Sequence, residues 1–216
     1  MRLLLITDLH GALHTISSIA RRAGSCDALL LGGDITHFGS PDEAQQIVEA
    51  ARRFAPQVLA VAGNCDSAAI ERRLIECGVS VFGRARRLGD WAVHGVSAMP
   101  PWRGTMYELS EQQIAAALEA GALEAADAPR RLVLSHAPPR DTTLDRTREG
   151  RHVGSQALRS FIERSRPSLV VCGHIHEARG IETMGTTIVV NCGAAQRGLF
   201  AVAELDEQIN ITLERA

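Results

Sequence analysis

Lysine is absent from the sequence, so all 23 of its cationic side chains are arginines. Aromatic residues are scarce, with two tryptophans and one tyrosine, and the formal net charge is only −2. Proteins that bind nucleic acid usually combine a basic surface with stacking aromatic rings. The composition therefore argues against a stable nucleic-acid partner.

Cysteine pairs and long apolar runs are also missing. None of the five cysteines forms a CxxC pair, and their number is odd. This usage favours a reducing compartment, and we expect the protein to be cytoplasmic. The apolar run at residues 3–6 is too short for a signal peptide, and no window approaches the ~18 apolar residues of a membrane span. We expect no membrane partner.

What is present is a strongly apolar chain, 45% hydrophobic over 216 residues, which is enough to bury a sizeable core. Its first third alternates short apolar runs with segments whose apolar residues recur at helical spacing. The predicted strands are 2–6, 28–31 and 58–62, and the predicted helices are 13–23, 40–54 and 67–77. Strands that alternate with helices in this way are typical of βαβ units and a largely parallel sheet.

The remaining two thirds mix short strands, loops and helices. Strands are predicted at 79–82, 91–96, 132–134 and 169–172, helices at 110–126 and 155–164, and an irregular loop at 100–106. From residue 180 to 215 strands and turns alternate, which suggests antiparallel hairpins packed on a second sheet. No repeat or linker interrupts the chain, so we predict a single two-sheet α/β domain over residues 1–216.

Five short polar motifs each follow an apolar run. In open α/β sheets, ligands bind beyond the carboxyl ends of the strands, which is where these motifs should lie. Their oxygen and nitrogen donors suit a pair of divalent ions such as Mn, Fe or Zn, and two ions about 3.5–4 Å apart can clamp a phosphorus centre during attack. The seven candidate ligands are Asp8, His10, Asp34, Asn64, His136, His174 and His176.

Each motif taken singly also has an ordinary structural explanation. Asp8 could cap the helix at 13–23, and Asp34 or Asn64 could be a turn residue. His136 could be an ordinary loop histidine, and the two histidines of the GHIH motif could be a surface pair. The complete set in this order favours the metal site.

The set D-x-H, G-G-D, G-N-x-D, S-H and G-H-x-H resembles the calcineurin-like metallophosphoesterases over roughly residues 3–195. The stretch at 135–177 is most similar to small prokaryotic phosphoesterases and to metallophosphoesterase-domain-containing proteins of vertebrates. The resemblance implies an α/β/β/α sandwich, in which two packed mixed β-sheets are flanked by helices. It also implies a dinuclear hydrolase of phosphate esters, which we interpret as a phosphodiesterase on small-molecule or nucleotide substrates.

The same resemblance implies a role for each ligand. One ion would be held by Asp8, His10 and His176, and the other by Asn64, His136 and His174. Asp34 would bridge both, and a hydroxide between the ions would attack phosphorus in line. Asp34, Asn64 and His136 are accordingly the predicted catalytic residues.

Position 65 departs from the family pattern, which usually has histidine there. A thiol has an ordinary pKa of about 8.5, against ~6.5 for imidazole, so Cys65 is a poor cationic donor. We expect weak turnover of substrates with poor leaving groups. A nucleophilic Cys65 is an alternative to the favoured interpretation of a packed bystander, and Asp66 is expected to cap the helix that starts at Ser67.

Four further residues are candidates for binding substrate: His152, His37, Cys65 and Trp102. His152 precedes a predicted helix N-terminus, which can attract phosphate. His14 and His94 are assigned to packing or to the surface. Three loop arginines, at 103, 140 and 148, are expected to be solvated charges.

Two other classes of function are compatible with the sequence. One is a binding scaffold that keeps the fold with weak or no catalysis, as the phosphoesterase-like subunit of retromer does. The other is a protein Ser/Thr phosphatase, which is less favoured because the short chain leaves little groove for a polypeptide. The sequence does not identify the metal, the natural substrate or the oligomeric state.

Overall fold

The computed structural model describes all residues from 1 to 216. The helices are α1 (Leu13–Ala23), α2 (Pro41–Ala51), α3 (Ala68–Glu76), α4 (Glu111–Glu124) and α5 (Gln156–Ser165). The strands are β1 (Arg2–Ile6), β2 (Ala28–Gly32), β3 (Gln57–Val61), β4 (Ala85–Leu88), β5 (Trp91–Val96), β6 (Arg130–Ser135), β7 (Leu169–Cys172), β8 (Gly180–Met184), β9 (Thr187–Asn191), β10 (Leu199–Leu205) and β11 (Ile209–Arg215).

The strands form two mixed sheets. The first has the order β11-β10-β1-β2-β3, with β1, β2 and β3 parallel and β10 antiparallel to β1. The second has the order β4-β5-β6-β7-β9-β8, with a parallel centre formed by β5, β6, β7 and β9. The carboxyl ends of β1, β2, β3, β6 and β7 therefore carry the five polar motifs.

Side-chain alternation along β1 explains how the layers assemble. Leu3 and Leu5 belong to the apolar layer between the two sheets, whereas Leu4 and Ile6 pack on the outer face with α1, α2 and α3. The outer face of the second sheet is covered by α4 and α5 through residues such as Leu118. Both faces of the central strands are buried, which is why they read as continuous apolar runs. This arrangement confirms the predicted α/β/β/α sandwich.

Helix starts follow their capping residues. The Ser40 side chain accepts a hydrogen bond from the Glu43 backbone N–H, and Ser110 forms a reciprocal capping box with Gln113. The predicted end of the second helix was wrong by three residues, since α2 stops at Ala51 and a turn follows.

No helix in the fold combines the length and apolarity needed to span a bilayer.

Two sequence-based predictions about strands need correction. Residues 79–82 are not a strand; Ser80 bridges Ala60 of the first sheet and Phe82 bridges Gly95 of the second. The strand lies instead at β4, whose edge position leaves its arginines exposed and so gives no apolar signal. The C-terminal hairpins also divide, because β8 and β9 extend the second sheet while β10 and β11 complete the first.

Candidate metal centre

The five motif loops are tied to one another by hydrogen bonds. The Asp8 N–H donates to the Gly33 carbonyl (3.0 Å), and the His10 N–H donates to the Asp34 carbonyl (2.8 Å). Within the second sheet, the Gly173 N–H donates to the His136 carbonyl (3.0 Å), and between the two sheets the His174 N–H donates to Asp8 Oδ1 (3.0 Å). The loops therefore behave as one cross-linked unit, which brings all seven candidate ligands together at the carboxyl edge of the sheets.

Four of the seven candidate ligands adopt left-handed backbone conformations. The φ angles are 57° at Asp8, 49° at His10, 47° at Asp34 and 67° at His174. Each such conformation costs a non-glycine residue roughly 1 kcal/mol or more, so it persists only where the surroundings enforce it. These strained residues are concentrated at the carboxyl edge of the sheets. There the fold fixes the direction of the side chains at a cost in backbone conformational energy.

Asp8, His10 and His176 form one half of the centre. Their ligand atoms all lie within 4.8 Å of one another. His176 Nε2 is 3.2 Å from Asp8 Oδ1 and 3.4 Å from His10 Nε2. Both oxygens of Asp8 also accept from the His174 backbone N–H, at 3.0 and 3.1 Å, which fixes the carboxylate.

Asn64, His136 and His174 form the other half. His136 Nδ1 lies 3.1 Å from the Gly32 carbonyl oxygen, which can only accept, so Nδ1 carries the proton. His136 Nε2 lies 2.8 Å from Asn64 Oδ1. The rings of His136 and His174 have centroids 5.0 Å apart.

Asp34 lies between the two halves. Its Oδ2 is 3.6 Å from His10 Nε2, and its Oδ1 is 3.4 Å from His136 Nε2. Oδ1 also accepts from the Cys65 backbone N–H at 2.7 Å. One carboxylate thus presents one oxygen to each half of the centre.

The two carboxylates are buried beside each other. Burial raises the pKa of Asp34, the imidazole of His136 only partly opposes this, and the charge of Asp8 adds to the rise. Burial alone would also raise the pKa of Asp8, but the hydrogen bond from His176 and the nearby His136 bring it below its ordinary value. The centre therefore concentrates negative charge in a place with little water, a setting that favours cations.

The histidines differ in their electrostatic surroundings. Burial lowers the pKa of His10 to about 4 and that of His174 to about 3. The hydrogen bond to Asp8 instead raises the pKa of His176. Unprotonated imidazole nitrogens at His10 and His174 are the form that coordinates a metal ion.

Glycines allow the close approach of backbone to ligands. A Cβ at Gly63 would lie 2.8 Å from Cε1 of His136 and closer still to Oδ1 of Asp34. A Cβ at Gly173 would lie 2.6 Å from both Cβ and Oγ1 of Thr7, and closer still to Oδ2 of Asp8. The glycines of these two motifs are therefore packing requirements of the centre.

The two histidines of the GHIH motif do not share a strand face. β7 ends at Cys172, His174 turns into the left-handed region, and His176 begins a short 3₁₀ turn. The left-handed turn directs one ring to each half of the centre, which a continued strand would not do.

Cys65 lies behind Asn64 and is buried. Asn64 Nδ2 is 3.4 Å from Cys65 Sγ and 3.3 Å from Met106 Sδ, which orients Asn64 Oδ1 toward His136. Burial and the carboxylates of Asp34 and Asp66 raise the pKa of the Cys65 thiol far above its ordinary value. These surroundings disfavour a thiolate.

The expectation that Asp66 caps a helix was wrong. Ser67 caps α3, its side chain accepting from the Ile70 N–H. Asp66 instead accepts from the backbone N–H groups of Ile35 (3.0 Å), Thr36 (2.9 Å) and Gly63 (2.8 Å). It therefore joins the loop after β2 to the loop after β3, the loops that carry Asp34 and Asn64. Asp8 caps no helix either, since α1 has no side-chain cap.

A cleft of about 520 Å³ opens beside Asn64 and His174. Trp102 lines it together with Met99 and Met106, and Arg140, Arg151 and His152 line it as well. The guanidinium of Arg151 lies 5.6 Å from the centre of the Trp102 ring, and that of Arg103 lies 5.7 Å away. Of the four predicted substrate-binding residues, His152 and Trp102 are in this cleft.

His37 and Cys65 lie on the other flank. His37 is exposed, and its Nδ1 is 3.2 Å from Nδ1 of His10. Ligand atoms of His37, His10 and Cys65 fall within 4.8 Å of one another. Neither His37 nor Cys65 lines the cleft.

Sequence reasoning missed Asp145 and Arg151. Asp145 is fully buried and hydrogen-bonded to His152 at 2.6 Å. Arg151 contacts Trp102, although the two are far apart in the chain. Both lie in the irregular segment between β6 and α5, where the apolar residues show no helical or strand periodicity. The only sequence signal there was the neighbouring His152. His94 is fully buried in β5, in agreement with its assignment to packing.

Comparison with known proteins gives a family and several relatives. A family model described as calcineurin-like phosphoesterase matches residues 1–178. An uncharacterized protein from Methanocaldococcus jannaschii is 32% identical over 199 residues, which cover 88% of this chain and 87% of that protein.

Solved structures share the fold at low sequence identity. A protein of Thermus thermophilus gives a TM-score of 0.76 at 17% identity, with 98% of each chain covered. A dimetal phosphatase from Danio rerio gives a TM-score of 0.63 at 13% identity, with 100% of this chain and 96% of that chain covered.

Proposed function

The chain belongs to the calcineurin-like phosphoesterase family, and on that premise we propose that it is a dinuclear metal-dependent phosphodiesterase acting on small-molecule or nucleotide substrates. Residues 1–216 act as one domain in this proposal. Support for this comes from β10 and β11, which lie past the matched segment and complete the first sheet, β10 pairing with β1 and β11 with β10.

One contact carries the proposal. His136 Nε2 and Asn64 Oδ1 are 2.8 Å apart, yet the ring proton lies on Nδ1 and the amide hydrogens of Asn64 are directed at sulfur atoms. Two lone pairs therefore face each other in a buried place, which is unfavourable unless a cation lies beside both. Asp34 Oδ1, 3.4 Å from the same Nε2, supplies a third donor.

The donor set fits two divalent ions. Carboxylate, amide and imidazole donors without thiolate suit Mn, Fe or Zn. We assign Asp8, His10 and His176 to one ion, Asn64, His136 and His174 to the other, and Asp34 to both. The two oxygens of Asp34, which approach His10 and His136 respectively, support its bridging role.

Two ions bound there would lower the pKa of a water held between them and neutralise the charge that develops on the phosphoryl oxygens. The chain itself contributes rigidity. Asp34 is fixed by the Cys65 N–H, His136 by the Gly32 carbonyl, and Asp8 by the His174 N–H. Groups held in this way need little rearrangement during the reaction.

The cleft supports a small organic substrate. Its volume of about 520 Å³ is of the size that holds ligands rather than polypeptides. Trp102, Met99 and Met106 offer apolar contact to the organic part of an ester, and Arg140 and Arg151 offer charge to its anionic part. A phosphodiester with one flat or apolar substituent fits this distribution better than a protein side chain.

Three free cysteines are buried and two are partly exposed, and none is disulfide-bonded. This supports a reducing, cytoplasmic compartment.

The scaffold alternative predicts a different result when metals are added. A binding scaffold would hydrolyse no phosphate ester with any metal, whether or not it binds the ions.

The test begins with metal-free protein reloaded separately with Mn, Zn and Fe(II). We expect about two ions per chain, and faster hydrolysis of bis(p-nitrophenyl) phosphate than of p-nitrophenyl phosphate. Asp34→Asn should lose about 10²-fold or more in kcat/KM and should bind less metal, because it removes the shared charge. Asp127→Asn is the matched control, since Asp127 is an exposed acid paired only with Arg87 at 3.4 Å. An Asp34→Asn variant as active as the parent would reject the mechanism.

A further inference from the structure

An imidazole that is not a candidate ligand lines the cleft beside the metal centre. His152 and His174 are the two histidines of the cleft wall, and His174 is assigned to a metal ion. Position 65, which usually carries histidine in this family, holds a buried thiol whose pKa is raised far above its ordinary value. If the substrate needs an acid on the cleft side, His152 is the residue available to supply it.

A buried carboxylate fixes the orientation of His152. Its Nδ1 lies 2.6 Å from Oδ1 of Asp145. An ionised carboxylate can only accept, so the ring nitrogen that faces it must be the donor. Nδ1 therefore carries a proton, and Nε2 is the ring nitrogen that is left without a protein partner. The side chain of His152 is 35% exposed whereas that of Asp145 is fully buried. The ring is therefore anchored on one side and accessible on the other.

Asp145 is itself held from several directions. Its Oδ1 accepts from the Thr142 N–H at 2.9 Å, and its Oδ2 accepts from the Gly154 N–H at 2.9 Å and the Asp141 N–H at 3.2 Å. Both oxygens are fully engaged, so the carboxylate cannot rotate away from His152. Its remaining function is to hold the ring and to balance a positive charge on it.

The loop that carries this pair is fastened to the metal centre. Val153 N–H donates to the Asp145 carbonyl (3.2 Å), and Ser155 N–H donates to the Pro138 carbonyl (2.9 Å). Pro138 follows His136 by two residues, so the position of His152 is set relative to a candidate metal ligand. His152 lines the same cleft as the candidate ligands Asn64 and His174, so one substrate in that cleft can contact all three.

We propose that His152 is the general acid of the reaction, donating its Nε2 proton to the leaving-group oxygen, and that Asp145 is its positioning residue. The inference rests on the proposed phosphodiesterase function. As water adds to phosphorus and loses a proton to solvent, the P–O bond to the leaving group breaks and its electron pair stays on that oxygen. The oxygen takes the proton of the His152 imidazolium, and the neutral ring is reprotonated by solvent. His152 thereby replaces the imidazole absent at position 65.

The test compares two leaving groups on metal-loaded full-length protein. His152→Asn keeps a donor to Asp145 but cannot act as an acid. With methyl phenyl phosphate, whose phenolate leaves poorly, kcat should fall on the order of 10²-fold. With methyl p-nitrophenyl phosphate, whose leaving group needs no proton, kcat should change by only a few-fold. KM and bound metal should stay at parental values, and His14→Asn, on the exposed face of α1, is the matched control.

Asp145→Asn should show the same leaving-group dependence, provided that its thermal unfolding matches the parent. A second readout needs no activity: in ¹⁵N-histidine-labelled protein the Nδ1–H of His152 should give a downfield proton signal that both variants lose. Equal losses on both esters, or no loss on either, would overturn the inference while leaving the proposed function intact. A parent that hydrolyses neither ester under any metal would overturn the proposed function, and this inference with it.

Discussion

Gly173 is the position at which one methyl group should disable the metal centre. An added Cβ would lie 2.6 Å from Cβ and Oγ1 of Thr7 and closer still to Oδ2 of Asp8, whereas a real Cβ atom essentially never lies within 3.0 Å of such a neighbouring heavy atom. Gly173→Ala must therefore displace the Asp8 carboxylate or its own turn by about 1 Å. Thr7 and Asp8 are both buried, so neither can swing into solvent.

A shift of this size should act on function more than on folding. Misplacing a catalytic group by about 1 Å costs about 10²-fold in rate, while overpacking costs about 1–3 kcal/mol of stability. The expected result is a folded protein with reduced metal content and kcat/KM lower by about 10²-fold. Metal analysis after dialysis, hydrolysis of an aryl diester and thermal unfolding measure the three quantities.

Gly180→Ala provides the matched control. A Cβ there meets first the Cδ2 of Leu144 at 3.2 Å, the flexible end of a side chain. Asp8→Asn removes the charge of the candidate ligand without adding volume, and it should also bind less metal. This variant keeps the prediction testable if Gly173→Ala does not fold. Parental metal content and activity in a folded Gly173→Ala variant would refute the reasoning.

Three further predictions follow from the same geometry. Cys65→Ala should keep activity within a few-fold of the parent, because the thiol orients Asn64 only through a weak contact at 3.4 Å, and a dead variant would favour direct participation of the thiol. His94 has no hydrogen-bond partner on either ring nitrogen, and burial lowers its pKa to about 4. The unfolded chain binds a proton here below pH ~6.5 and the folded chain only near 4. This one histidine should therefore lower the free energy of unfolding of the metal-free protein by about 3 kcal/mol as the pH drops from 7 to 4, in addition to what His10 and His174 contribute. His94→Leu should remove that share of the pH dependence in urea titrations, and an unchanged pH profile would contradict it. Zn, Mn or Fe(II) should each raise the unfolding temperature of the parent far more than that of Asp34→Asn, since only the parent offers the shared carboxylate; equal shifts would argue that the ions bind elsewhere.

Much of the fold could be predicted because its signals are local. The apolar runs at β1, β2 and β3 and the caps at Ser40 and Ser110 are set within a few residues of chain, so propensity and capping decide them. Parallel strands share a carboxyl edge, and the polar motifs that follow them were expected to meet there. The prediction missed β4 because an edge strand needs no apolar face, and it gave residues 79–82 a strand that the structure replaces with two isolated bridges.

The sequence by itself determined which side chains could bind ions and the order in which the chain delivers them. Only the tertiary structure decided the rest: that a left-handed turn at His174 separates the two rings of the GHIH motif, that Asp66 joins two loops instead of capping a helix, and that Asp145 holds His152 beside the cleft. These outcomes depend on contacts between segments far apart in the chain. Such contacts are set by the packing of both sheets at once, which no window of neighbouring residues encodes.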